Sequence, residues 1–183
     1  MTTTTMASPP GGGAGLDARL IAAGAFLLGL LTIGGAWGSQ IIGGLYPCEL
    51  CLEQRWAYYV GLPVLLLVLL LWRRLSRRMW MVGMGLTILA FVWSMWMSGY
   101  HAGVEWGFWP GPTACTGLGV TVDFSDLQNI DANRVVPCDQ VQFRLFGLSL
   151  AGYNFLISTA IVALLALALG RGRGNQGSSS ISQ

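Results

Sequence analysis

Tyr46-Pro47-Cys48-Glu49-Leu50-Cys51-Leu52-Glu53-Gln54-Arg55 is the stretch on which the reading of this chain turns. It sets two cysteines in C-x-x-C spacing at the mouth of a hydrophobic run, with an arginine one helical turn beyond the second. If Pro47 or its neighbour opens a helix, both sulfurs sit in the first turn. There the unsatisfied N–H groups and the positive end of the helix dipole favour thiolate over thiol. Cys51 and Arg55 are four apart and share a face, so the guanidinium can reach a nearby anion. A C-x-x-C closes almost no loop and makes a poor structural bridge, which favours redox use. A reactive sulfur beside a fixed cation, at the edge of an apolar run, points to electron transfer.

The surrounding chain is that of a membrane protein. Of 183 residues, 54% are hydrophobic and 10% charged, with a mean hydropathy of +0.59. An ordinary soluble domain carries about 25% charged residues. Most runs offer no polar face with which a helix could meet water, so the composition predicts an all-α integral membrane protein of one compact domain. The net charge of +2 says little as a total. Its placement says more, because lysine is absent and the arginines cluster at the flanks of the apolar runs. No basic patch lies elsewhere, so no nucleic-acid partner is expected.

Four spans are expected, at about 20–38, 50–72, 79–99 and 148–170, within a domain covering residues 18–170. Residues 1–17 and 171–183 read as disordered tails. The first run is taken as a span rather than a signal peptide, since no strongly basic segment precedes it and no small-x-small site follows. Its glycines (Gly24, Gly29, Gly34, Gly35) suit close helix packing in lipid, and Pro63 in the second run reads as a tolerated kink. Arg73, Arg74, Arg77 and Arg78 in the short loop after the second span mark a cytoplasmic side, as do Arg171 and Arg173. Arg19 agrees, so both termini are expected inside. The connections 39–49 and 100–147 then face outward, and all four cysteines lie on that side. In a bacterial inner membrane that side is the oxidising periplasm.

Several residues admit a plain reading beside a functional one. A bond between Cys115 and Cys138 would close a loop of somewhat over 20 residues and contribute about 3 kcal/mol, a structural staple for a loop without its own core. A four-cysteine zinc site is disfavoured because the second pair is widely spaced, so no metal is expected. Arg55 is either an interfacial arginine snorkelling to the headgroups or a cation that stabilises an anionic acceptor or the Cys51 thiolate. The spacing from Cys51 favours the second. His101 is either a hydrogen-bonded packing residue or a proton-transfer group, with Glu105 on a shared helical face. Trp106, Phe108 and Trp109 read as headgroup-zone anchors. Trp93, Met95, Trp96 and Met97 read as packing or lipid-facing residues that could also line a pocket for a flat aromatic ligand.

Four spans, Pro47-Cys48-Glu49-Leu50-Cys51 with Gln54-Arg55, and a late outer-loop cysteine pair resemble the disulfide bond formation protein B (DsbB) family. More specific are Tyr100-His101-Ala102-Gly103-Val104-Glu105-Trp106-Gly107, then Trp109-Pro110-Gly111-Pro112 before Cys115. Pro137-Cys138-Asp139 and Gly147-Leu148-Ser149-Leu150-Ala151 match as well, and the similarity covers roughly residues 20–170. The resemblance implies a four-helix transmembrane bundle with a long periplasmic loop between the third and fourth helices. It implies an enzyme, a quinone-dependent thiol oxidase of the bacterial inner membrane, in contact with the lipid bilayer and its quinone pool. Cys115 and Cys138 would form the disulfide that takes electrons from a periplasmic DsbA-type thioredoxin-fold thiol oxidase. Cys48 would exchange with that loop pair, and Cys51 would contact the ring of a bound ubiquinone or menaquinone near Arg55 and His101.

The implied arrangement has a driving force. DsbA is a strong oxidant, at about −120 mV, so a relay of dithiols alone could hardly reoxidise it, whereas a quinone could. The loop pair must also stay exchangeable, which turns the reading of Cys115 and Cys138 away from a staple. Two alternatives stand beside this one. A vitamin K epoxide reductase-like enzyme would place its C-x-x-C on a late helix, whereas here it opens the second span. A non-enzymatic scaffold or transporter subunit would hold two structural disulfides that resist mild reductant.

Overall fold

The computed structural model describes residues 17–112 and 136–177, with side chains through residue 172. Four long helices account for most of it: α1 (Ala18–Ile41), α2 (Glu49–Leu70), α3 (Arg77–Glu105) and α4 (Leu150–Gly177). Two short strands, β1 (Arg144–Leu145) and β2 (Leu148–Ser149), pair antiparallel ahead of α4. Each helix packs on two others, in the cycle α1–α2–α3–α4–α1. Alternate directions place the arginines of the helix flanks (Arg19, Arg73, Arg74, Arg77, Arg78, Arg171) at one end of the bundle and the C-x-x-C at the other. Arg19 helps close the arginine end, where its guanidinium donates to the Leu69 carbonyl in the last turn of α2 (3.2 Å). A cation there also complements the negative end of the helix dipole.

This is an all-α membrane protein. Among the described residues, α1, α3 and the Leu150–Gly172 part of α4 are long and apolar enough to cross a membrane. The second run was expected to match them. α2 differs because its first two turns carry Glu49, Glu53, Gln54 and Arg55, which dilute an otherwise aliphatic helix. The outward faces bear Leu31, Leu67, Leu89 and Leu167, all exposed, as befits a bundle whose solvent is hydrocarbon. Much of the interior is equally apolar, built from Ala22, Ala25, Leu65, Met84, Phe91, Ile161 and Leu165. Of the four glycines read as packing positions in α1, Gly29 fills that role: a Cβ there would lie 2.8 Å from Leu62 of α2. Gly24, Gly34 and Gly35 have nothing that close.

α3 runs past the expected end at residue 99 and stops at Glu105. Its end is a Schellman turn, in which the Phe108 N–H reaches the Gly103 carbonyl (2.9 Å) and the Gly107 N–H the Val104 carbonyl (3.0 Å). Gly107 adopts the left-handed φ of +75° that this motif needs. Trp109 then folds back onto the helix. Its indole N–H donates to the Tyr100 carbonyl (2.9 Å), and its ring stacks on Tyr100 at 6.0 Å. That ring occupies the space a side chain at position 103 would need. The extra turns put His101 and Glu105 on a helix rather than in a loop. The β1–β2 hairpin, also absent from the expectation, turns at Phe146 and Gly147, both at positive φ as a two-residue hairpin loop demands. Ser149 then caps α4, its hydroxyl accepting the Gly152 N–H (3.1 Å).

Candidate active site

The C-x-x-C lies where α2 begins. Cys48 is the N-cap residue, in extended conformation, and its sulfur accepts the Cys51 N–H at 3.3 Å. Cys51 is the third residue of the helix. The two sulfurs are free thiols 2.7 Å apart, close enough to close into a bond of about 2.05 Å with a small shift. A helix N-terminus acts on both sulfurs alike, but their surroundings differ. Cys48 is buried, while Cys51 is half-buried. The hydrogen bond shared with the Cys51 sulfur, together with burial, pushes the Cys48 thiol above its ordinary range. Both sulfurs border the cavity beside them, Cys51 as the more exposed of the two.

Cys138 is disulfide-bonded and almost wholly buried. It packs in one cluster with Cys48 and Leu50, against which Cys51, Met97 and Tyr100 also lie. Cys115 falls outside the described residues. Three of the four cysteines thus meet at one end of the bundle.

Arg55 is buried within the bundle rather than stretched to its surface, with 8% of its area exposed. One guanidinium nitrogen donates to Gln40 Oε1 (2.7 Å) and another to the Ala36 carbonyl (3.2 Å), both on α1. The group also sits 5.5 Å over the Trp37 ring. The last turns of α1 thus hold the cation at the level of the thiols. His101 comes from α3. Its Nε2 is 3.6 Å from the Cys48 sulfur and 3.8 Å from Glu105 Oε1, and its Nδ1 is 2.9 Å from Gln54 Nε2.

A polar network continues inward from Gln54. Its carbonyl accepts from Asn154 Nδ2 (2.7 Å), and Asn154 Oδ1 accepts from the Tyr58 hydroxyl (2.5 Å). Ser158 and Ser94 lie 3.0 Å apart just beyond, with Ser158 3.4 Å from Tyr58. Polar groups buried in so apolar a bundle are costly unless paired, and here they pair with one another across α2, α3 and α4. Beside the network opens a cavity of about 380 Å³. Cys51, Arg55, Gln54 and His101 line its polar side, and Leu31 and Ile157 belong to its apolar wall.

The chain matches the family model described as disulfide bond formation protein DsbB over residues 18–168. The chain belongs to the DsbB family. Membership makes it a membrane protein of disulfide bond formation, with the chemistry of a thiol oxidoreductase. A relative in Rickettsia prowazekii (strain Madrid E), the uncharacterized protein RP370, is 22% identical over 146 residues, covering 78% of this chain and 82% of that protein. No solved structure matches the chain.

Within this DsbB-family site, Tyr58 and Asn154 had no place in the sequence reading, and Gln54 entered it only as part of a motif. A signal for them existed. Asn154 is a lone amide in an aliphatic run, and polar residues inside membrane helices are rare and tend to be functional. Gln40, which anchors Arg55, carried no comparable signal.

Proposed function

We propose that this protein is a membrane thiol:quinone oxidoreductase that reoxidises a periplasmic DsbA-type dithiol oxidase and thereby supports disulfide bond formation. One observation carries the reading: a free Cys48/Cys51 dithiol borders a largely apolar cavity, with Arg55 on its wall and disulfide-bonded Cys138 packed behind it. The Cys115/Cys138 pair takes electrons from the partner, and Cys48, packed against Cys138, exchanges with it. The arginine-rich end supports four spans with both termini cytoplasmic and the cysteine end on the periplasmic side of the inner membrane.

The cavity suits a flat, largely apolar ring. Its volume lies in the usual range for small-molecule sites, and its surface is largely apolar, with Cys51, Gln54, Arg55 and His101 among the polar groups that line it. Ubiquinone or menaquinone bound there would accept two electrons and two protons. Arg55 contributes a fixed positive charge, already held by α1, where negative charge develops. Cys51 lines the cavity from α2, and His101 and Glu105 line it from α3.

The test mixes the full-length protein with ubiquinone or menaquinone and a reduced thioredoxin-fold dithiol oxidase, without oxygen, and follows quinone absorbance. Reduction should require both cysteine pairs, so Cys51→Ser and Cys115→Ser should each abolish it. Failure with both quinones, from a folded sample, would sink the proposal.

A further inference from the structure

His101 is the chain's single histidine, and both edges of its ring are held. At one edge the Gln54 side-chain nitrogen lies 2.9 Å from Nδ1. An amide nitrogen only donates, so Nδ1 accepts. The orientation of that amide is set in turn by Asn154 Nδ2 donating to Gln54 Oε1, and that of Asn154 by the Tyr58 hydroxyl donating to its Oδ1. Every link points from Tyr58 toward the imidazole. The other edge accommodates this. There Nε2 faces the Cys48 sulfur at 3.6 Å and Glu105 Oε1 at 3.8 Å, both able to accept. A hydrogen on Nε2 satisfies the two edges together. A hydrogen on Nδ1 would set donor against donor at Gln54 and leave the Nε2 lone pair facing sulfur and carboxylate.

We infer that Gln54, braced by Asn154 and Tyr58, is a positioning residue that fixes His101 in its Nε2–H tautomer and so presents a hydrogen-bond donor to the Cys48 sulfur. The catalytic consequence rests on the redox reading above. In that exchange the loop dithiol becomes a disulfide, the Cys48–Cys51 disulfide becomes a dithiol, and two protons pass from the loop thiols to the pair. The first half joins Cys48 to a loop sulfur and releases Cys51. In the second half the bond between Cys48 and that loop sulfur breaks, and Cys48 departs with the bonding electrons. The Nε2–H meets that charge in a buried site, where a charge-assisted hydrogen bond is strong.

A chain with one histidine allows a direct test. Ring-¹⁵N-labelled, full-length protein in lipid nanodiscs, fully reduced, should show the Nε2–H tautomer by NMR, with no substitution and hence no question of folding. Gln54→Glu replaces the amide donor with a carboxylate that accepts, and should move the hydrogen to Nδ1. Asn154→Leu should leave a mixture of tautomers. Thiol trapping in a single turnover, without quinone, should find transfer from the loop pair to Cys48–Cys51 slowed about tenfold or more in Gln54→Glu. An Nδ1–H or doubly protonated ring in the unsubstituted protein would overturn the inference. So would an unmoved tautomer in Gln54→Glu, or a moved tautomer with undiminished transfer. Absence of all thiol–quinone turnover in the unsubstituted protein would instead strike the redox reading, while the ring spectrum still decides the positioning.

Discussion

The two ends of this bundle are made from the same four helices and fill their interiors in opposite ways. At the arginine end, Ala22, Leu65, Val68, Met84, Leu165 and Ala168 pack in one apolar cluster, and the buried Thr87 hydroxyl on α3 donates to the Gly83 carbonyl of its own helix. At the cysteine end the corresponding interior holds Gln54, Arg55, His101, Asn154 and a cavity. Close packing of aliphatic side chains gives stability that tolerates little change in volume. A paired polar network gives less stability and more specificity, because each member has one acceptable orientation. Stability and chemistry are therefore held at different depths of one fold.

Substitutions at the two ends should part accordingly. Leu65→Ala, at a fully buried position of the dry end, should cost about 2–5 kcal/mol of stability. It should leave quinone reduction per folded molecule unchanged; a loss of turnover matching the loss of stability would break the distinction. Arg55→Ala should do the reverse. It should slow quinone reduction about tenfold, equivalent to about 1.4 kcal/mol, while the cysteines still form their disulfides. Normal quinone kinetics in that variant would remove Arg55 from the site. The smallest effect is expected within one helix: Gly24→Ala meets no neighbour and should change stability by less than about 1 kcal/mol. Gly29→Ala in the same assay should destabilise, because its methyl group meets Leu62. Equal behaviour of the two would show that α1 does not pack on α2 as described.

Much of the fold was legible in the chain because hydrophobic runs and arginine flanks are local signals. The four helices lie close to the four apolar runs, and the C-x-x-C does open a helix, with Cys48 as its cap. The misjudged features depend on contacts between distant residues. α3 was expected to end near Gly99, but helix continues through Gly103 because Trp109 folds back to cover that glycine. The 144–149 hairpin is only two pairs long, too short to leave an alternating pattern. The amide network needs the register of α2 against α4, which joins Gln54 to Asn154 across 100 residues. Nothing in either segment alone states that register.

The cap on α2 has a consequence for the choice of variants. The sulfur of Cys48 is both the redox atom of the proposed exchange and the acceptor of the Cys51 N–H, one of the free donors in the first turn of the helix. Replacing it with alanine removes two functions at once, and loss of an N-cap costs about 1 kcal/mol on its own. Serine keeps an acceptor at that position and is among the best capping residues. Serine and alanine at position 48 are therefore not interchangeable controls: their difference measures the latch, and serine alone isolates the chemistry.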